Sequence, residues 1–177
     1  MIRQLFASLA ALFSLQAHSA LNVGDTAPDF TAQATIAGKE FTYRLHDALK
    51  TGPVVLYFYP AAFTPGCTIE AHDFAEAVDR YQALGASVIG VSHDDLATLK
   101  RFSVSECRSK FAVVADRDGG IMKAYDAVMF LARRYASRTS YVIAPNGRIL
   151  YVYSSMSPDQ HVANTLAAVQ RWAAEPH

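Results

Sequence analysis

The apolar residues of this chain fall either in short continuous runs or in longer stretches with helical spacing. The run 54–59 is rich in β-branched and aromatic residues, which predicts a central strand covered on both faces. The runs 87–91 and 111–115 predict two more buried strands. Between the first two runs, residues 66–85 place an apolar side chain every three or four positions. That spacing predicts an amphipathic helix between two strands.

The last third of the chain predicts a hairpin followed by a helix. Residues 139–144 and 148–154 have strand composition, and the Pro-Asn-Gly sequence at 145–147 predicts the turn between them. Residues 158–172 again carry apolar side chains at helical intervals. A terminal hairpin with a helix after it, following a strand–helix–strand unit, is typical of the thioredoxin-like plan.

Three further segments add to these predicted elements. Residues 41–45 alternate like a short strand, and a helix follows the second strand with Asp94 or Asp95 as its N-cap. Residues 128–137 have no clean period and predict a loop. The whole pattern predicts an α/β fold of the thioredoxin-like type, with a mixed central sheet and helices on both faces.

The first 20 residues are predicted to be a secretory signal peptide. Arg3 gives a basic start, residues 5–15 are apolar and uncharged, and residues 17–20 include small side chains suited to cleavage. A retained membrane anchor is the alternative, although the apolar run is short for a spanning helix. We therefore expect a signal peptide at 1–20, one domain at 21–177, and an exported, periplasmic protein.

Composition limits the classes of function. The chain has 177 residues, 51% of them apolar and 18% charged, with a formal net charge of zero. That length supports one domain with a substantial core, and no basic stripe indicates nucleic-acid binding. After signal removal no further membrane span is predicted. The two cysteines of an exported protein would meet an oxidising compartment.

Cys67 is the strongest candidate for chemistry. It follows Pro65 and Gly66 in the first turn of the predicted helix, where unpaired backbone N–H groups and the helix dipole favour an anion. A thiolate is a far better nucleophile than a thiol. Thr64 supplies a hydroxyl three residues earlier, and Gly66 leaves room for a ligand to approach the backbone. The alternative is a buried structural cysteine that happens to begin a helix.

Residues 57–73, YFYPAAFTPGCTIEAHD, resemble the peroxidatic motif of the peroxiredoxins. The general form of that motif is P-x-x-x-T-x-x-C, which Pro60, Thr64 and Cys67 match. The resemblance is to the bacterioferritin-comigratory-protein or PrxQ type within the AhpC/TSA superfamily. Other segments that resemble this type are 23–30, 90–94 and 138–149.

The resemblance implies a thiol peroxidase that reduces hydrogen peroxide and organic hydroperoxides without a metal or an organic cofactor. Cys67 would be the peroxidatic cysteine, Thr64 would hydrogen-bond the thiolate and the peroxide, and Pro60 would shield the site. Arg138 matches the family arginine and would stabilise the thiolate; the alternative is a solvated charge at a strand end. Glu70 either orients the arginine or is simply a favourable acid near a helix N-terminus.

The chain departs from the pattern of this type at one position. Many members carry a resolving cysteine five residues after the peroxidatic one, where this chain has His72. We expect His72 to face solvent, because it lies about 140° around the helix from Cys67. The only other cysteine is Cys107, which either resolves the sulfenic acid as an intramolecular disulfide or is a bystander in a one-cysteine enzyme. A Cys67–Cys107 disulfide would require the first helical turn to unwind.

The resemblance also implies a thioredoxin-like reductant as partner and, in many members, a monomer. Three alternatives remain. A thioredoxin-fold thiol–disulfide exchanger would need a C-x-x-C motif, and a copper-handling protein of the Sco type would need C-x-x-x-C; Cys67 has no second cysteine at either spacing. A permanent Cys67–Cys107 disulfide would suit an exported protein but would leave the rest of the motif unexplained.

Overall fold

A computed structural model describes residues 20–176 of the chain. The predicted signal peptide at 1–20 lies outside these residues, except for Ala20. Between residues 20 and 176, no helix is both long enough and apolar enough to cross a membrane.

The described residues form one seven-stranded sheet with five helices. The strands are β1 (Thr31–Ile36), β2 (Lys39–Arg44), β3 (Val54–Phe58), β4 (Ser87–Ser92), β5 (Ala112–Ala115), β6 (Thr139–Ile143) and β7 (Ile149–Ser154). The helices are α1 (Leu45–Leu49), α2 (Pro65–Ala83), α3 (Leu96–Ser105), α4 (Gly120–Ala124) and α5 (His161–Ala174).

The strand order in the sheet is β2-β1-β5-β4-β3-β6-β7. Strand β4 pairs in parallel with β3 and β5, while the other pairs are antiparallel. The sheet is therefore mixed, and β3 and β4 lie near its centre. The predicted α/β, thioredoxin-like fold with a mixed central sheet is confirmed.

Alternate residues of β3 enter two separate cores. Val55 and Tyr57 enter the core under α2, α3 and α5, whereas Leu56 and Phe58 enter the core under α1 and α4. Every residue of β3 is buried, because helices cover both faces of the sheet. This two-sided burial explains the continuous apolar run, since each large apolar side chain contributes about 1.5–3 kcal/mol when it is buried.

Strand β1 was not predicted from the sequence. The segment Thr31–Ile36 offers mainly alanine and threonine, so its hydrophobic signal is weak. It forms a strand because its backbone pairs with β2 on one side and with β5 on the other. A turn at Ala37 and Gly38, both with positive φ, connects it to β2. Pairing with neighbours, rather than local propensity, determines this strand.

Candidate active site

Cys67 lies at the junction between the central strand β3 and helix α2. After β3, the Tyr59 N–H donates to the Val91 carbonyl at 3.1 Å, and the half-buried Pro60 then leaves the sheet. Helix α2 begins at Pro65, with Thr64 at the N-cap position. Proline suits the first helical turn, where no intrahelical partner exists for its missing N–H. Cys67 is therefore in the first turn, and its side chain is only 1% exposed.

Asp94 holds the loop that precedes Cys67. Its Oδ2 accepts hydrogen bonds from the Ala62 N–H and from the Ser92 hydroxyl, both at 2.7 Å. Asp95, not Asp94, is the N-cap of α3, since its Oδ1 accepts from the Thr98 N–H at 2.7 Å. Sequence reasoning left the cap open between these two residues and missed the role of Asp94 in the loop.

Thr64 is exposed and hydrogen-bonds within its own loop. Its hydroxyl donates to the Ala61 carbonyl at 3.0 Å. A hydroxyl has one proton to donate. Donation to the Cys67 sulfur or to a peroxide, as the family resemblance implies, would require this hydroxyl to rotate away from Ala61. The role of Thr64 therefore stays a prediction, as does the shielding role of Pro60.

Arg138 reaches Cys67 from the residue before β6. Its Nη2 lies 3.5 Å from Cys67 Sγ, its Nε donates to the Met156 carbonyl at 3.0 Å, and its Nη1 donates to Glu70 Oε2. The side chain is buried, so the alternative of a solvated strand-end charge is wrong. A guanidinium held by two other partners presents a fixed donor and a positive charge to the sulfur.

Gly66 makes room for that guanidinium. A Cβ at this position would lie 3.1 Å from Arg138 Nη2, closer than most Cβ contacts allow. Its backbone φ is not positive, so the need for glycine arises from the neighbour and not from strain. We expected Gly66 to leave space for a ligand, and the structure gives that space to Arg138.

Glu70 is fully buried and forms an ion pair with Arg138. Of the two roles that the sequence left open, the contact with Arg138 is the one seen. Burial raises the pKa of Glu70 to about 8, even though the Arg138 guanidinium favours the carboxylate. Its second oxygen, Oε1, is buried without a hydrogen-bond partner.

His161 lies next to Glu70 of this Glu70–Arg138 ion pair, and the sequence did not identify it. It is fully buried, with Nδ1 2.8 Å from the Ser140 hydroxyl and Nε2 2.9 Å from the Ser155 carbonyl. Its Nδ1 is also 3.7 Å from Glu70 Oε1. The available signal was its position four residues before Thr165, which places both polar side chains on the buried face of α5.

Cys107 lies just beyond the end of α3 and is a free, buried thiol like Cys67. Burial, together with the neighbouring Glu106, raises the pKa of Cys107 well above its ordinary value. Both cysteines belong to the core under α2, α3 and α5, along with Tyr57 and Tyr59. The structure has no disulfide between these two cysteines.

The expectation that His72 faces solvent is wrong in part. Its side chain is only 37% exposed, and its Nε2 lies 2.8 Å from Glu106 Oε2. The residues after α3 contact α2, since Glu106 reaches His72 and Arg108 reaches Glu76. Glu106 therefore lies at a face of α2 that helical geometry alone assigns to water. His72 thus links the helix of Cys67 to the residue that precedes Cys107.

Comparison with known sequences identifies the family. The AhpC/TSA family profile matches residues 23–152. The chain is 37% identical over 122 residues to a chloroplastic peroxiredoxin Q of Triticum aestivum, a match covering 68% of this chain and 56% of that protein. It is 34% identical over 142 residues to peroxiredoxin Q of Oryza sativa subsp. japonica, covering 76% of this chain and 65% of that protein. The chain thus spans less than two thirds of the length of either relative.

Solved structures agree in fold. The peroxidoxin BcpB of Mycobacterium tuberculosis superposes with a TM-score of 0.76 at 32% identity, covering 84% of this chain and 96% of that one. A PrxQ mutant of Xylella fastidiosa gives 0.78 at 25% identity, covering 88% and 99%. The chain belongs to the AhpC/TSA family, and peroxiredoxin Q proteins are among its relatives.

Proposed function

We propose that this protein is a thiol-dependent peroxidase that reduces hydrogen peroxide and organic hydroperoxides at Cys67. The observation that carries the proposal is the position of Arg138 Nη2, 3.5 Å from a buried thiol in the first turn of α2. A helix N-terminus and a fixed cation at one sulfur favour the thiolate that attack on a peroxide requires. The family relationship supports the same chemistry.

In the first step, the Cys67 thiolate attacks one oxygen of the hydroperoxide. An S–O bond forms as the O–O bond breaks, and the leaving oxygen takes the electron pair and a proton to become water or an alcohol. The sulfur is oxidised by two electrons to a sulfenic acid while the peroxide is reduced. This step needs no metal and no organic cofactor.

Arg138 acts on the charges of that step. Its Nη2 donor points at the sulfur, where it stabilises the thiolate and the charge that develops on the leaving oxygen. Thr64 would rotate its hydroxyl from the Ala61 carbonyl to the bound peroxide, and Pro60 would limit access of water. In other enzymes, one fixed donor aimed at developing charge contributes about a hundredfold or more to the rate.

For regeneration, we propose that Cys107 resolves the sulfenic acid. Its sulfur attacks the Cys67 sulfur, an S–S bond forms, and the sulfenic oxygen leaves as water. A thioredoxin-like reductant then reduces the disulfide by thiol–disulfide exchange. Both thiols are buried and burial raises the pKa of Cys107, so the first turn of α2 and the end of α3 must open before this bond can form. If Cys107 is a bystander, an external thiol reduces the sulfenic acid directly.

Consumption of hydrogen peroxide by the reduced protein, followed by mass spectrometry, tests these steps. Wild type and Cys107→Ser should both consume one equivalent of peroxide, whereas Cys67→Ser should consume none. Oxidised wild type should contain a 67–107 disulfide, and Cys107→Ser should stop at the sulfenic acid. Peroxide consumption by Cys67→Ser would disprove the function, and absence of the disulfide would make Cys107 a bystander.

Export and assembly are two further proposals. The N-terminal residue pattern supports a cleaved signal peptide and a periplasmic location, and N-terminal sequencing of protein released by osmotic shock tests both. The mature chain should begin after residue 19 or 20, and an uncleaved chain in the cytosol would contradict export.

The family resemblance supports a monomer, which sedimentation at micromolar concentration tests directly.

A further inference from the structure

His161 is a buried histidine with no part in the peroxidase chemistry described so far. It begins α5, and β6 and β7 provide its neighbours. Its side chain is 0% exposed, and both ring nitrogens lie within hydrogen-bond distance of a protein oxygen. Tyr153 packs edge-on against the ring, with centroids 4.8 Å apart. The ring is therefore held in one orientation.

That orientation fixes which nitrogen carries a proton. The Ser155 carbonyl can only accept, so the Nε2 that lies 2.9 Å from it must carry a proton and donate. In the neutral ring, Nδ1 then has a lone pair, and the Ser140 hydroxyl donates to it. Burial lowers the pKa of His161, which favours this neutral form.

The unprotonated Nδ1 also lies 3.7 Å from Glu70 Oε1. Glu70 Oε1 is the carboxyl oxygen that Arg138 does not contact, and it is buried without another hydrogen-bond partner. An ionised carboxylate oxygen close to an unprotonated ring nitrogen is electrostatically unfavourable, because both atoms carry negative charge or partial charge. One proton between the two groups removes the conflict, either on Glu70 or on His161, where the Ser140 hydroxyl can switch from donor to acceptor.

We propose that His161 is a positioning residue that shares one proton with Glu70, so that Arg138 keeps its positive charge for the Cys67 thiolate. The inference rests on the proposed function. When the proton is present, Glu70 and His161 together carry no net charge. When it is absent, the Glu70 carboxylate neutralises Arg138 and the thiolate loses its counter-charge.

Other charged and titratable groups also surround this proton. They are Cys67 and Asp73 on α2, Arg138 before β6, Tyr57 on β3 and Tyr153 on β7. Arg138 favours an ionised Glu70, while Asp73 opposes it and burial opposes it more strongly. Burial raises the pKa of Glu70 to about 8, which agrees with a proton held at neutral pH.

The pH profile of the reaction with hydrogen peroxide tests the proposal. Replacing His161 by leucine removes the partner of the shared proton, so Glu70 ionises more readily and competes with the thiolate for Arg138. The pH of half-maximal rate should rise by about one unit, the scale expected from a nearby charge. His161→Asn cannot carry the shared proton either, so it should shift the profile in the same direction, and it covers the case in which leucine prevents folding.

Two further proteins make the test specific. Glu70→Gln imitates the protonated carboxyl, so it should react with peroxide, and adding His161→Leu to it should shift the profile no further. Thr165→Val is the matched control, because it removes another buried hydrogen bond of α5 and should leave the profile unchanged.

The outcomes separate this proposal from the function on which it rests. An unreactive wild type would refute the proposed function itself. A reactive wild type with an unshifted His161→Leu and His161→Asn, a shift that persists when His161→Leu is combined with Glu70→Gln, or an unreactive Glu70→Gln would each overturn the role of His161.

Discussion

At the scale of single residues, each of the three guanidinium nitrogens of Arg138 contacts a different partner. Nε contacts the Met156 carbonyl, Nη1 contacts Glu70, and Nη2 contacts Cys67. The first two contacts fix the direction of the third. The reactivity of Cys67 should therefore depend on any change that moves the Arg138 guanidinium or alters its charge.

Gly66→Ala should displace the guanidinium of Arg138. The added Cβ would lie 3.1 Å from Arg138 Nη2 and push it from the sulfur. We expect the rate constant for hydrogen peroxide to fall about tenfold, or about 1.4 kcal/mol. Stability should stay equal or rise, because alanine favours a helix over glycine by roughly 1 kcal/mol. Stopped-flow kinetics and thermal unfolding check both, and an unchanged rate would contradict the role given to Gly66.

Glu70→Gln should change how stability depends on pH. The pKa of Glu70 is raised from 4.5 to about 8 in the folded protein. Between these values the unfolded carboxyl ionises while the folded one keeps its proton. Stability from this group is therefore complete below pH 4.5 and is lost as the pH rises towards 8, by at most about 1.4 kcal/mol per pH unit.

Denaturant unfolding of wild type and Glu70→Gln from about pH 5 to about pH 8 measures this difference. The variant should lack the downward contribution that Glu70 makes to the wild-type slope. Parallel curves would show that Glu70 is ionised in the folded protein throughout this range.

At the scale of elements, the loop between β3 and α2 is held from outside by the residues that follow β4. Asp94 accepts two hydrogen bonds there, one from the loop and one from Ser92. Its neighbour Asp95 instead caps α3. Two adjacent acidic residues thus stabilise different parts of the fold, the loop before α2 and the start of α3.

Asp94→Ala and Asp95→Ala form a matched pair. Loss of Asp94 leaves the Ala62 N–H unpaired, so it should cost about 1–3 kcal/mol of stability and slow the peroxide reaction. Loss of Asp95 removes a helix cap, so it should cost about 1 kcal/mol and leave the peroxide reaction unchanged. Equal effects of the two variants on the peroxide rate would contradict the separate roles.

The sequence predicts most elements but not all of them. Strands β3, β4 and β6 are buried along most or all of their length, so hydrophobicity alone reveals them. Strand β1 depends on pairing with two neighbours, and such pairing leaves little trace in a weakly apolar segment. The last helix begins at His161 rather than at residue 158, because residues before it form a turn.

At the scale of the whole molecule, two buried thiols belong to one core and reach it from different helices. Cys67 enters from the first turn of α2 and Cys107 from the end of α3, and His72 and Glu106 connect these two regions. We expect a bond between the two sulfurs to disturb this His72–Glu106 contact.

Oxidation should therefore unfold part of the site. Wild type treated with one equivalent of hydrogen peroxide should lose amide-exchange protection over residues 64–72, while α5 keeps its protection. Cys107→Ser, which cannot form the intramolecular bond, should keep protection in both regions after the same treatment. Unchanged exchange over 64–72 in oxidised wild type would contradict local unfolding.

The site is only partly predictable from the chain. Cys67 and Arg138 were found because a local motif and a family resemblance mark them, and the structure brings them together at 3.5 Å. His161 and Asp94 were missed because their roles depend on partners far away in sequence. The exposure of His72 was mispredicted because helical geometry gives the direction of a side chain but not the residues that lie in that direction.

The second-order rate constant of the reduced Cys107→Ser protein with hydrogen peroxide at neutral pH tests the central claim most directly, because only Cys67 can then react as a thiol. The structure predicts a rate at least about a hundredfold above that of a free thiol at the same pH, lost when Cys67 is also replaced by serine. A rate equal to that of a free thiol, or one that survives the loss of Cys67, would contradict a peroxidatic site at Cys67.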